Sequence, residues 1–318
     1  MKKKIFLTVI LLRIAFSSYS QSFNAGFLFD PGLTLGTEFM PNSAVNDSVD
    51  FKLVKYKFQV TLPVKTKFGL PNLSFKDFSF KKVNAKASQL FVSANFSVHQ
   101  PSFSSGNNFS KIYTGGLGVI AVSGNVKKNI WLYGGNIYFS ENKTTITRSP
   151  NPNLRGYLLK VNLKNSNLIY FYGASLTFNQ GKYYPIPILG ARIRLSKRLN
   201  TNLVFPIQLK LIYEVNKKTH IDLATNLDGI NAISREGSSF KNINRTTNYQ
   251  QLKSYFGINT KFGSHYKVFF ETGYVSFREI RTINRDYTQT ISPSFYFSFS
   301  INYHFGISVL NHFINEME

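Results

Sequence analysis

Five histidines, His99, His220, His265, His304 and His312, are the first place to look for chemistry in this chain. A metal site assembled on one element needs ligands at a short fixed spacing. No two of these residues stand in an H-x-x-x-H relation, so the sequence predicts no metal centre. His99 is followed by Ser102, Ser104 and Ser105, a set from which an acyl hydrolase or transferase could draw a base and a nucleophile. Serine is equally the residue of polar connections, and the set reads as turn chemistry. Gly115-Gly116-Leu117-Gly118 has the glycine density of a phosphate loop, but it interrupts a strand-like pattern, where glycine marks curvature or close backbone approach. No catalytic residue, cofactor or enzyme activity is expected.

The cations carry more information. Lys55, Lys57, Lys160, Lys164, Arg192, Arg194, Lys210 and Lys253 fall on the polar side of segments in which apolar and polar residues alternate. Val54, Tyr56, Phe58, Val60 and Leu62 alternate with Lys55, Lys57, Gln59 and Thr61. Leu159, Val161 and Leu163 alternate with Lys160, Asn162 and Lys164 in the same way, Ala191, Ile193 and Leu195 with Arg192, Arg194 and Ser196, and Leu209, Leu211 and Tyr213 with Lys210 and Glu214. If the apolar faces meet lipid, these cations line a lumen that holds fewer acids, namely Glu214, Asp222 and Glu271. One-signed lumen charge tunes a pore toward anions. The competing reading is a plug in which the same cations pair with acids and inward-folded loops.

The elements that must position these residues are strands. The clearest is Phe295 to Phe305, in which Phe295, Phe297, Phe299, Ile301, Tyr303 and Phe305 form one face and Ser298, Ser300, Asn302 and His304 most of the other. Alternation of that length matches a tilted strand crossing a bilayer, which takes about 9 to 11 residues, and exceeds the usual globular strand of about 5 or 6. No later apolar run is long enough for a spanning helix. A closed barrel is the strand structure that satisfies its own backbone in lipid. The expected fold is therefore an all-β, transmembrane, antiparallel up-and-down barrel. Fifty aromatic residues, among them Tyr113, Trp131, Tyr138, Tyr157, Tyr183, Tyr184, Tyr266 and Tyr287 near strand ends, fit the girdles at its two water boundaries.

Connections come in two lengths. Short ones fall at Gly124–Asn129, Asn165–Asn167, Ser196–Asn200, Asn216–Thr219 and Gly263–His265, and long ones at Gln100–Lys111, Glu141–Leu154, Ile233–Tyr249 and Arg278–Ile291. Short turns face the periplasm and long loops the exterior. Counting back from a last strand that ends in the periplasm requires an outer turn near Phe205-Pro206, which splits Asn202–Tyr213, and recruits Ser22–Leu35 as strand one. That gives about fourteen strands, with about twelve if neither holds. Lys65–Lys86 is either a further strand or a periplasmic loop.

Residues 1–20 read as a signal peptide: Lys2 to Lys4, an apolar core from Ile5 to Phe16, and Ser18-Tyr19-Ser20 before a cleavage near Ser20. The barrel then spans 21–306, and 307–318 form a C-terminal tail. The chain has no cysteine, hence no disulfide and no lipid-modified cysteine. Losing Lys2, Lys3, Lys4 and Arg13 leaves 34 Lys and Arg against 15 Asp and Glu, an excess of 19 positive charges. In an exported barrel such a charge matches lipopolysaccharide phosphates or anionic solutes, and nucleic acid is not the expected partner. Alternation averages hydropathy to near zero, and the mean hydropathy is −0.13.

With this signal, the alternating strands, Tyr183-Tyr184-Pro185-Ile186-Pro187-Ile188-Leu189-Gly190, the Leu203-Val204-Phe205-Pro206 corner and the aromatic last strand, the chain resembles bacteroidete-type outer-membrane β-barrel proteins of unknown function over most of residues 50–306. The resemblance implies the fold and an outer-membrane location, reached with the barrel assembly machinery. It brings no catalytic residue. The expectation from the residues is a channel or uptake protein for small anionic or amphipathic solutes. The alternative is a structural or interaction barrel with a plugged lumen that binds lipopolysaccharide or an envelope partner.

Overall fold

The computed structural model describes residues 31–46, 49–69, 86–104, 111–125, 129–142, 152–165, 167–179, 182–235, 243–283 and 287–306. The proposed signal peptide, Ser22 to Asp30 of the expected first strand, most of Lys65–Lys86, and the tail 307–318 lie outside them.

Alternating, aromatic and β-branched sequence makes every element a strand: β1 (Gly32–Asn46), β2 (Val49–Gly69), β3 (Lys86–Phe103), β4 (Ile112–Asn125), β5 (Asn129–Glu141), β6 (Asn153–Asn165), β7 (Leu168–Asn179), β8 (Lys182–Arg194), β9 (Leu199–Phe205), β10 (Gln208–Glu214), β11 (Thr219–Arg235), β12 (Ile243–Phe262), β13 (Tyr266–Ile283), β14 (Tyr287–Ile291) and β15 (Ser294–His304). From β1 to β14, consecutive strands pair antiparallel. β15 pairs with both β13 and β1, Phe39 opposite Phe297 and Gly32 opposite His304, which closes the ring. β14 continues the line of β15 along the upper part of β13, so the wall is a closed barrel of fourteen strands.

The corner at Phe205-Pro206 is a tight turn between β9 and β10, with the Ile207 amide donating to the Val204 carbonyl at 2.7 Å. The first wall strand starts at Gly32 and runs to Asn46, further along the chain than Ser22–Leu35. Its second half, with Pro41, Asn42 and Ser43 and two register shifts against β2, lacks the clean alternation by which a strand is read. The long connections are also shorter than expected. β11 and β12 stay paired to Arg235 and Ile243, and Arg278–Thr282 pair with Tyr287–Ile291.

The strands differ in height, and this shapes the interior. β9 and β10 have 7 residues each, whereas β11, β12 and β13 have 17, 20 and 18. β10 pairs with β11 only up to Asn226, so residues 227–235 rise above it, and Ile233 there bridges directly to Glu141 of β5. The Asn142 amide adds a hydrogen bond to the Ile233 carbonyl at 3.2 Å. At the end that carries the long connections the wall therefore narrows to β1–β5 and β11–β14.

Two apolar clusters fill the inside. Phe91, Ile120, Leu132, Leu159, Phe171 and Ile188 are among the buried side chains lining the arc from β3 to β9. Met40, Phe51, Leu53, Ile230, Tyr249 and Ile280 belong to a second cluster that stoppers the narrowed section. The outer surface is apolar too, with Leu117, Leu158, Leu189, Phe270 and Phe297 exposed.

Strand β6 therefore carries apolar residues on both faces, and its expected facing is reversed. Leu158 is 51% exposed on the outside while Leu159 is 0% exposed inside, with Val161 and Leu163 packed in the same interior cluster. The physical reason is the closely filled interior of this arc. Period-2 alternation gives two faces, and here both require apolar side chains.

Candidate functional site

Below the second apolar cluster, the arc formed by β1, β2, β10–β13 and β15 encloses a polar cavity of about 440 Å³ that runs to the rim where β1 begins at Gly32 and β15 ends at His304. Of the cations assigned to the lumen from sequence, Lys55, Lys57, Lys210 and Lys253 line it together, in company with Lys267. Strand alternation places them: Tyr56 and Leu209 face outward between them.

Three of these cations, Lys55, Lys210 and Lys253, are paired with acids, two of which, Glu38 and Asp228, the alternation of the sequence does not mark. Lys253 donates to both carboxylate oxygens of Glu38 at 2.6 Å and lies 2.5 Å from Asp228, and Lys55 reaches the same Asp228 at 4.0 Å. Lys210 pairs with Asp222 at 2.5 Å, and the Asn259 amide donates to that carboxylate as well. Lys57 lies over Gly36, where a β-carbon would come within 2.8 Å of its Cε and 2.9 Å of Ser300 Cβ. The missing side chain gives the lysine stem its path toward Ser300. Glu38 sits on the part of β1 beyond Leu35, next to the irregular segment of Pro41, Asn42 and Ser43, where alternation does not mark a strand. Asp228 lies in Leu227-Asp228-Gly229-Ile230, a run without alternation, so its facing is not encoded locally.

Arg192 and Arg194 sit on the inner side of β8, between the exposed Leu189, Ile193 and Leu195, and pair across the sheet with Asn202 and Asn200. They are not part of the cavity. Lys160 and Lys164 do not face the lumen, which corrects the sequence reading. With Leu159 and Val161 turned inward, Lys160 projects outward and its Nζ lies 5.8 Å from the centroid of the exposed Trp131 ring. Lys164 is exposed at the short-turn rim.

A further interior residue, the cation Arg278, is not marked by the sequence pattern. Phe277 has a positive φ of 49° and is exposed, in a bulge where β12 and β13 slip register between Gln250 and Leu252. The extra residue breaks alternation, so Arg278 follows an outward Phe277 into the interior, where it is 0% exposed. Its Nε donates to Tyr249 Oη at 3.0 Å and its Nη1 to the Ser292 carbonyl at 3.0 Å and to Ser43 Oγ. The guanidinium also lies 5.3 Å from the Phe51 ring centroid. It thereby joins β13 to β1 and to the break between β14 and β15.

His99 and the serines after it separate. His99 faces inward opposite Lys55 and shares a 3.0 Å hydrogen bond with Ser97, while Ser102 is exposed and Ser104 Oγ accepts from the Asp50 amide at 2.8 Å. Ser105 lies outside the described residues. Gly115, within the glycine-rich stretch, faces outward beneath Phe139, whose ring a β-carbon would meet at 2.5 Å. Of the aromatics expected in girdles, Trp131, Tyr183 and Tyr266 are exposed, whereas Tyr138 is buried. The outer face of the last strand is Phe295, Phe297, Phe299, Ile301 and Phe305, all exposed, with Tyr303 half-buried between the rings of Tyr266 and Phe305.

No protein-family model matches the sequence, and no curated protein matches it. Among solved structures, the chain is similar to the β domain of the Bordetella autotransporter BrkA at 10% identity and a TM-score of 0.33, covering 87% of this chain and 100% of that one. The translocator domain of the autotransporter NalP from Neisseria meningitidis matches at 10% identity and a TM-score of 0.34, covering 95% and 96%. The Pseudomonas putida toluene transporter TodX matches at 9% identity and a TM-score of 0.26, covering 90% and 96%. Overlaps this shallow carry no functional argument, and the barrel assignment rests on the hydrogen-bonded ring itself.

Proposed function

We propose that this chain is an outer-membrane β-barrel that conducts no solute and serves as a structural or interaction barrel. The membrane reading is supported by a closed ring with an apolar outer surface, because exposed apolar area on this scale needs lipid and only a closed ring leaves no unpaired edge in it. A tilted strand crosses the hydrocarbon in about 9 to 11 residues, so the 20 residues of β12 extend well beyond it. The tall wall of β11 to β14 then stands outside the bilayer at the long-connection end. It is the surface that would meet lipopolysaccharide or an envelope partner. Export with cleavage near Ser20 and insertion by the barrel assembly machinery belong to the same reading.

The observation that carries the non-conducting assignment is the stoppered upper section, where Ile233 meets Glu141 and Met40, Phe51, Ile230 and Tyr249 pack together above the polar cavity. Three of the cations lining the cavity, Lys55, Lys210 and Lys253, are engaged with Glu38, Asp228 and Asp222, which favours a fixed internal network over a selectivity path. Purified protein in planar bilayers tests this. A silent membrane is expected. Steady anion-selective conductance would overturn the proposal and restore the channel reading, with Lys55, Lys57, Lys210 and Lys253 along the path.

A further inference from the structure

The short-turn rim carries a pattern that the internal network does not use. The β8–β9 turn presents Lys197 and Arg198, the β10–β11 turn presents Lys217 and Lys218, Lys164 ends β6, and Lys261 stands near the end of β12. All six are exposed, and among the described residues no carboxylate lies within ion-pair distance of any of them.

These side chains are not needed to shape the turns. The Arg198 amide is held by Ser196 Oγ at 3.3 Å, and the Lys218 amide by Asn216 Oδ1 at 2.8 Å. The nearby acid Glu214 is engaged by the Asn200 amide at 3.0 Å. The cations are thus mutually repelling charges held on one rim with no acidic partner among the described residues, an arrangement that calls for an anion from outside.

We propose that this rim binds the phosphates of anionic phospholipids in the leaflet around it, an inference that rests on the outer-membrane reading. The cations run along the wall from β6 to β12, so they form an arc. A partner that surrounds the barrel meets the whole arc, whereas a single docked protein meets one side. Lys160 gives the depth and direction: it points laterally out of the wall, over Trp131, and Tyr213 and Tyr266 are exposed at the same end. Aromatic rings of this kind sit at headgroup level, and basic groups there are attracted to anionic lipid within about a Debye length, about 8 Å at physiological salt. The rim is at the end opposite to the one assigned to lipopolysaccharide.

The chain's single tryptophan, Trp131, is a built-in energy donor for the test. The full-length protein is reconstituted in phosphatidylcholine bilayers containing a trace of acyl-dansylated phosphatidylglycerol or acyl-dansylated phosphatidylcholine, and transfer from Trp131 is measured. Transfer to phosphatidylglycerol is expected to exceed transfer to phosphatidylcholine several-fold at low salt and to approach it in high salt. The variant Lys160→Gln, Lys164→Gln, Lys197→Gln, Arg198→Gln should keep heat-modifiable migration and lose the preference. Equal transfer to both lipids, or a preference that survives the four substitutions, overturns the proposal. Loss of sedimentation with purified peptidoglycan in that variant, with no lipid preference in the parent, would reassign the rim to the cell wall. Transfer to neither lipid would mean that the chain does not insert, which refutes the membrane reading itself.

Discussion

Lys253 on β12 donates to both carboxylate oxygens of Glu38 on β1 at 2.6 Å, across a part of the ring where β13 and β15 stand between the two strands. With Asp228 at 2.5 Å on its other side, this ammonium joins three strands just beneath the apolar stopper. Removing one partner of a buried ion pair leaves the other unpaired and costs about 3–5 kcal/mol. Lys253→Met should therefore lower the urea midpoint for unfolding of the refolded barrel. Adding Glu38→Gln should recover part of the loss, because it removes one of the stranded charges. A midpoint unchanged by Lys253→Met would show that the network contributes nothing to stability.

The bridge between Ile233 and Glu141 can be trapped chemically. The chain contains no cysteine, so Glu141→Cys with Ile233→Cys introduces the only two thiols, on residues whose backbones are already paired. Cα atoms of neighbouring strands lie about 5 Å apart, inside the range a disulfide spans. Expression through an oxidising periplasm should give a species that migrates differently with and without reductant. Free thiols in the folded protein would show that the upper section is not narrowed.

Phe139 covers Gly115 on the outer surface, so any β-carbon at Gly115 collides with the ring. Gly115→Ala is expected to destabilise the barrel by about 1–3 kcal/mol, the ordinary cost of overpacking. Phe139→Leu in the same background should restore most of it, since the ring is the group in the way. Equal stability of the parent and Gly115→Ala, read from the temperature of the heat-modifiable band shift, would contradict this contact.

Phe299 and Ser298 are neighbours on β15 that point to opposite sides of the wall, Phe299 being 44% exposed outside and Ser298 lining the cavity. An arginine facing lipid near mid-membrane costs about 2–4 kcal/mol. Ser298→Arg instead places its charge opposite both Glu38 and Glu271 in the sheet. Phe299→Arg should cut the yield of heat-modifiable barrel in outer-membrane fractions well below that of Ser298→Arg. Equal yields would mean that the outer face of β15 does not contact lipid.

The last strand, the antiparallel meander and the split at Phe205-Pro206 were legible because each follows from local chemistry. Alternation sets the two faces of a strand, a proline corner sets a turn, and even closure fixes the count. The first half of the candidate site was legible for the same reason: Lys55, Lys57, Lys210 and Lys253 lie on strands whose outer face is plainly apolar. Glu38 and Asp228 were not, since one sits beside an irregular segment and the other in a run where Leu227 and Ile230 are both buried.

The sequence by itself determined a closed ring of strands and the two-sided character of each, because backbone pairing and period-2 facing depend only on neighbours along the chain. Which side is the inside was decided by the tertiary structure. On β2, β10, β12 and β15 the interior is a polar cavity. On β6 it is a packed apolar cluster, so Leu159 turns in and Lys160 turns out to Trp131. Strand height was likewise decided in three dimensions. The short β9–β10 hairpin lets β11 reach β5, and the bulge at Phe277 turns Arg278 inward. Both depend on partners far away in sequence, whose register a local pattern does not encode.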